Sequence, residues 1–137
     1  MVNIKVKNYY YLTAGILAIL FAVTHAWNGQ SVVLPKLNME GLSVDTLTIF
    51  TYVWHIITAE NLVFGFAFIF MSFYPEGSKT RFTAWMIATI LLVRLMVILS
   101  ITVLLNRTGL PATLIDLIAI IVYVALIILG TRMKKKH

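Results

Sequence analysis

Four long apolar stretches, broken by few charged residues, dominate the pattern of hydrophobic and polar positions along the chain. A helix that crosses a bilayer needs roughly 20 mostly apolar residues, and all four stretches come close to or exceed that length. The pattern therefore predicts an all-α protein with a single four-span domain over residues 1–137, folded as an antiparallel four-helix transmembrane bundle. The predicted spans are residues 9–27, 48–74, 82–106 and 111–130.

Short segments separate these spans. Pro75 and Gly77 lie between spans two and three, which predicts a tight turn and a helical hairpin. The segment 28–47 is too long for a turn and too apolar for a solvated loop. It is predicted to lie across the outer end of the bundle as an interfacial lid, with a plain amphiphilic connector as the alternative.

The composition supports a membrane protein and excludes several other classes. Hydrophobic residues make up 61% of the 137 residues, charged residues make up 12%, and there is no cysteine. Soluble domains have about 45–50% apolar and about 25% charged residues. A water-soluble enzyme, a disordered regulator, a fibre and a disulfide scaffold are therefore excluded.

The distribution of Lys and Arg predicts the orientation, because cytoplasmic loops are enriched in both residues. Eight of them lie before span one, between spans two and three, or after span four, whereas only Lys36 and Arg107 lie on the other side. Both termini are therefore predicted to be cytoplasmic, in a bacterial cytoplasmic membrane, with span one retained rather than cleaved as a signal peptide. The net charge of +6 indicates attraction to anionic lipid rather than to nucleic acid.

Two opposite charges lie near the middle of spans two and three. An ionisable residue in a membrane costs about 2.5–3.5 kcal/mol on insertion scales, so Glu60 and Arg94 both require an explanation. Counted from the intervening turn, their depths agree within about 3 Å, and they are predicted to pair. The pair is either a structural staple or part of a ligand site, to which Asn61 adds an amide about 100° around the helix.

Two histidines form a second candidate site. His25 shares a helix face with small residues, which predicts that it points into the bundle, and His55 lies on a polar face of span two. The two imidazoles are either hydrogen-bonded in the core, axial ligands of a haem b iron, or ligands of a divalent metal. The metal is disfavoured, because His55 and Glu60 point about 140° apart on a helix.

Two further predictions concern the ends of the spans. Thr113 and Asp116 fit a capping box at the start of span four, with a rim carboxylate as the alternative role for Asp116. Ser43 or Thr46 is predicted to cap span two. The aromatic residues, including Trp54, are interpreted as an interfacial belt.

Two functional hypotheses follow. The first is a non-enzymatic module that binds or conducts a small ligand, a lipid headgroup or a proton at His25, His55, Glu60, Asn61 and Arg94. The second is a haem b electron carrier with His25 and His55 as axial ligands. Four spans are few for a transporter, so the first hypothesis also predicts a homo-oligomer or a partner membrane subunit. No hydrolase triad, phosphate-binding glycine loop or cysteine pair is present in the sequence.

Overall fold

The computed structural model describes residues 5–75 and 77–133. All regular structure in these residues is helical, and four helical segments are long and apolar enough to cross a membrane. The predicted all-α class and the four candidate spans are therefore confirmed. The basic residues 134–136, which contribute to the predicted orientation, lie outside the described ranges.

Five α-helices and two shorter helical turns make up the described chain. A π-helical turn of five residues joins α1 to α2, and a 3-10 turn leads into α5. In chain order the elements are α1 (Tyr9–Asn28), the π turn (Gly29–Val33), α2 (Leu34–Met39), α3 (Val44–Phe73), α4 (Ser78–Leu105), the 3-10 turn (Arg107–Gly109) and α5 (Leu110–Thr131).

The prediction of a loop over residues 28–47 is wrong. Helical structure continues from α1 through the π turn into α2, and the connector to α3 is only residues 40–43. In the π turn the Leu34 N–H bonds to the Gly29 carbonyl five residues earlier, and the helix continues. It ends at Met39, and Gly41, two residues later, has a φ of 74° in the left-handed region that favours glycine after a helix.

The chain forms two compact units, of which the first contains residues 5–14, 68–75 and 77–133. Its core includes three buried aromatic rings. The Tyr11 and Phe68 centroids are 5.4 Å apart, and Phe68 meets Tyr123 edge-on at 6.1 Å. A Cβ on Gly130 would overlap the Tyr11 ring, so the glycine allows that ring to lie directly against α5.

The start of α1 is fixed within the first unit by Asn8, which is only 2% exposed. Its side-chain oxygen accepts the Tyr11 N–H at 3.2 Å, and its amide nitrogen donates to the Gly130 carbonyl at 2.9 Å. The backbone N–H groups of Lys7 and Asn8 both donate to the Ser72 carbonyl. Asn8 therefore caps α1 and also bonds it to the end of α5.

The second unit, residues 15–67, contains most of α1 and α3. A Cβ built on Gly65 would lie 3.0 Å from the Gly15 carbonyl oxygen and against Ile19, so the two helices approach closely at this point. The predicted inward face of α1 is confirmed: Ala18 is 0% exposed and Ala22 is 1% exposed. Small side chains permit this close helix packing.

Ser43 caps α3 as predicted, since its hydroxyl oxygen accepts the Thr46 N–H at 3.3 Å. The capping box predicted at Thr113 and Asp116 is wrong. The α5 helix begins earlier, at Leu110, and the Thr113 hydroxyl donates to the Leu110 carbonyl within it. The Asn106 side chain instead accepts the Gly109 N–H, and Asp116 is exposed on the second turn of α5.

Candidate polar site

The centre of the candidate site is a stacked pair of rings in the second unit. The His25 imidazole lies parallel to the Trp54 indole, with centroids 4.3 Å apart and planes 6° apart. The indole N–H donates to the His25 carbonyl at 2.9 Å. Trp54 is therefore anchored to α1, which the interpretation as an interfacial-belt residue did not anticipate.

Gly29 provides the space for this arrangement. A Cβ at this position would overlap the five-membered part of the Trp54 indole. The glycine is buried and begins the π turn, four residues after His25. Single π turns inside α-helices occur frequently at functional sites, and here the π turn is adjacent to the stacked pair.

Gln30 connects the π turn to the second histidine. Its carboxamide nitrogen lies 2.7 Å from His55 Nε2, which is within hydrogen-bonding distance. His55 follows Trp54 directly on α3, so two successive residues of α3 contact the region where α1 changes its winding. Sequence reasoning missed Gln30, because it fell within the predicted loop.

A cleft of about 300 Å³ opens beside Gln30. Its polar lining comes from two carboxamides and one hydroxyl, and the remaining lining is apolar. The cleft is shallow and open on one side, and its volume is at the lower end of the range of about 300–1,000 Å³ that is usual for small-ligand sites. The lining residues are Gln30, Leu34, Pro35, Asn38, Leu47 and Thr51.

Further polar groups continue along the α1-facing side of α3. Thr58 and Asn61 lie four and seven residues after Trp54, on the same helix face, and Gly65 follows at the close approach to α1. The Thr58 hydroxyl is buried and has no hydrogen-bond partner in the described part of the chain. Asn61 is 7% exposed. A buried hydroxyl without a partner is costly, and it is available to a water or a ligand group.

Glu60 and Arg94 are both partly buried, on α3 and α4 respectively. Arg94 interacts electrostatically with Tyr123 of α5, within the first unit. Glu60 belongs to the second unit. Their predicted pairing stays a prediction.

Both histidines contact other side chains of the chain, and these contacts differ from the shared haem ligation that was predicted. One face of the His25 ring is covered by Trp54, and His55 Nε2 is within hydrogen-bonding distance of Gln30. Within residues 5–75 and 77–133, no three His, Cys, Asp or Glu side chains group in a way that could hold a metal ion. Haem ligation stays a prediction that these contacts do not favour.

Four apolar helices of membrane-spanning length, with buried polar side chains along them, define an integral membrane protein of the all-helical class. No family model, curated protein or solved structure matches the chain. The function is therefore argued from the residues of this chain.

Proposed function

We propose that this protein is a membrane-embedded binding module whose polar site takes a small ligand, a lipid headgroup or a proton. One observation carries the proposal: the cleft beside Gln30 is linked through that residue to the His55 imidazole. The cleft supplies volume and hydrogen-bonding groups, and the imidazole supplies ring nitrogens that can donate or accept a hydrogen bond.

The polar face of α3 extends the site. A proton or polar group that reaches His55 has Thr58 and Asn61 next along the helix face that carries Trp54. We further propose that Glu60 acts as a protonatable acceptor and that Arg94 is its counter-ion, as their similar predicted depths suggest. Polar and ionisable residues in membrane helices often mark such pathways.

The proposed topology is an antiparallel four-helix bundle with both termini in the cytoplasm of a bacterial cell, so that the cleft opens toward the outer side. It rests on the excess of Lys and Arg, eight against two. Because the chain has no cysteine, single cysteines can test it directly. An impermeant maleimide on intact cells should label Lys36→Cys and leave Lys79→Cys unlabelled until the membrane is opened. The reverse labelling would invert the topology.

Binding is tested by native mass spectrometry of protein extracted from its membrane in mild detergent. The wild type should retain a lipid or small molecule that Gln30→Leu and His55→Gln lose. Asp116→Asn, a substitution at an exposed position that does not line the cleft, is the control and should retain it. The same spectra give the oligomeric state and reveal any partner subunit.

Proton transfer is tested in vesicles loaded with a pH-sensitive dye. Vesicles containing the wild type should dissipate an imposed pH gradient faster than empty vesicles, and Glu60→Gln should reduce the rate while Asp116→Asn should not. If the wild type retains no bound molecule and moves no protons, the proposed function is wrong.

A further inference from the structure

The Gln30 side chain takes part in two features of the site. It lines the cleft, and its carboxamide lies 2.7 Å from His55 Nε2. A carboxamide has an accepting oxygen at one side and a donating NH₂ at the other. Whichever of the two meets His55, the other remains for the cleft.

The protonation state of His55 decides which atom it meets. A neutral imidazole with its proton on Nδ1 has an accepting Nε2, so the Gln30 NH₂ can donate to it across the 2.7 Å between the two nitrogens. A protonated imidazole carries a proton on both ring nitrogens. The Gln30 oxygen must then accept from Nε2–H, which requires the carboxamide to turn over and leaves its NH₂ for the cleft.

The other lining groups define the class of ligand. No charged side chain lines the cleft, and Leu34, Pro35 and Leu47 give it an apolar wall. The Thr51 hydroxyl donates to the Leu47 carbonyl at 2.8 Å, so its oxygen remains free only to accept. These features fit an uncharged molecule with an apolar body and one hydrogen-bonding head.

We infer that the cleft binds such an uncharged molecule and that protonation of His55 changes Gln30 from an acceptor into a donor toward it. This inference rests on the proposed function. With neutral His55 the site prefers a hydroxyl head, which can donate to the Gln30 oxygen. With protonated His55 the Gln30 NH₂ donates, so a carbonyl head, which can only accept, loses its disadvantage against a hydroxyl head.

The pH dependence attributed to His55 must be distinguished from that of the other charged or titratable groups in the second unit. These groups include His25 on α1, Lys36 on α2 and Glu40 in the connector between α2 and α3. On α3 they are Asp45, Tyr52 and Glu60. None of them lines the cleft. His25, the other imidazole, has one ring face against Trp54.

The test compares two probes of similar size, cyclohexanol and cyclohexanone, added to the ¹⁵N-labelled full chain in micelles. Binding is followed through the Gln30 side-chain amide signals, and the ring nitrogens of His55 report its titration. As His55 becomes protonated, affinity for the ketone relative to the alcohol should rise roughly fivefold, the equivalent of one net neutral hydrogen bond. His55→Gln should bind both probes with a ratio that does not change with pH.

Asp45→Asn is the control, because it removes an exposed titratable group from α3 outside the cleft and should keep the wild-type pH dependence. If both probes bind and their ratio is constant across the titration of His55, the inference is wrong and the binding function stands. If neither probe perturbs the Gln30 signals at any pH, the inference fails, and the proposed function is decided by the retained-molecule and proton-transfer measurements.

A second measurement uses the wild type without a probe, so its outcome does not depend on whether a variant folds. The Gln30 amide signals should move with the same midpoint as His55 Nε2, because the carboxamide turns over as the imidazole gains its proton. Gln30 signals that stay fixed while His55 titrates would overturn the inference.

Discussion

Replacement of Gly29 by alanine tests how much the close fit of Gly29 against the stacked Trp54 indole contributes to the free energy of unfolding. The added Cβ would overlap the Trp54 indole, and overpacking a filled site typically costs about 1–3 kcal/mol. Displacement of the indole also weakens its stack on His25, worth about 0.5–1.5 kcal/mol for aromatic pairs. The hydrogen bond to the His25 carbonyl contributes a further ~0.5–1.5 kcal/mol.

One effect acts in the opposite direction. Alanine is more favourable than glycine in a helix by about 0.8–1.0 kcal/mol. The losses exceed this gain, so Gly29→Ala should lower the free energy of unfolding by about 3 kcal/mol, taking central values of these contributions. Unfolding of the detergent-solubilised protein by a denaturing detergent, followed by circular dichroism, measures the change.

A double-mutant cycle isolates the cause. In a Trp54→Leu background the indole is absent, so Gly29→Ala should no longer destabilise and should instead show the helix-propensity gain. A control without steric overlap is Gly77→Ala, at the exposed N-cap of α4 where a Cβ would meet nothing closer than 4.0 Å, and it should cost no more than about 1 kcal/mol, the usual penalty for alanine at an N-cap. Equal losses from Gly29→Ala with and without Trp54 would refute the steric argument.

Three further predictions concern other parts of the chain. Asn8→Ala should lower the unfolding free energy by about 1–3 kcal/mol, because it removes both the cap of α1 and the buried hydrogen bond to the Gly130 carbonyl; a change below 0.5 kcal/mol in the same unfolding assay would contradict this. Asp116→Asn should change stability by less than about 0.5 kcal/mol, since the residue is exposed and caps nothing. If Glu60 and Arg94 pair, Glu60→Gln and Arg94→Met should show a coupling of about 0.5–3 kcal/mol, and additive effects would refute pairing.

Hydropathy was sufficient to predict the helical class and the number of candidate spans, because membrane crossing is set by the length and polarity of each segment alone. The inward face of α1 was also predictable, since small residues at helical spacing permit close packing. Residues such as Ala18 and Ala22 carry that information without reference to any other helix.

The local geometry of the site could not be predicted in this way. Where α1 continues past Gly29, the glycine lies against Trp54, which is 25 residues further along the chain. Glycine and proline normally indicate a turn, and only the contact with α3 explains the helix here. The sequence pattern singled out His25 and His55 as candidate site residues, but their neighbours Trp54 and Gln30 were recognisable only after the packing was known.

The π turn can also be viewed as a one-residue insertion within a regular helix. Deletion of Val32 would return the stretch to α-helical winding and keep the later residues of α2 on their present faces. It would place Pro35 four positions after Gln30, whose carbonyl would then meet the proline ring, an arrangement that kinks or breaks a helix at a cost of about 3 kcal/mol. Any ancestral or engineered shortening of this segment would therefore have to replace Pro35 as well.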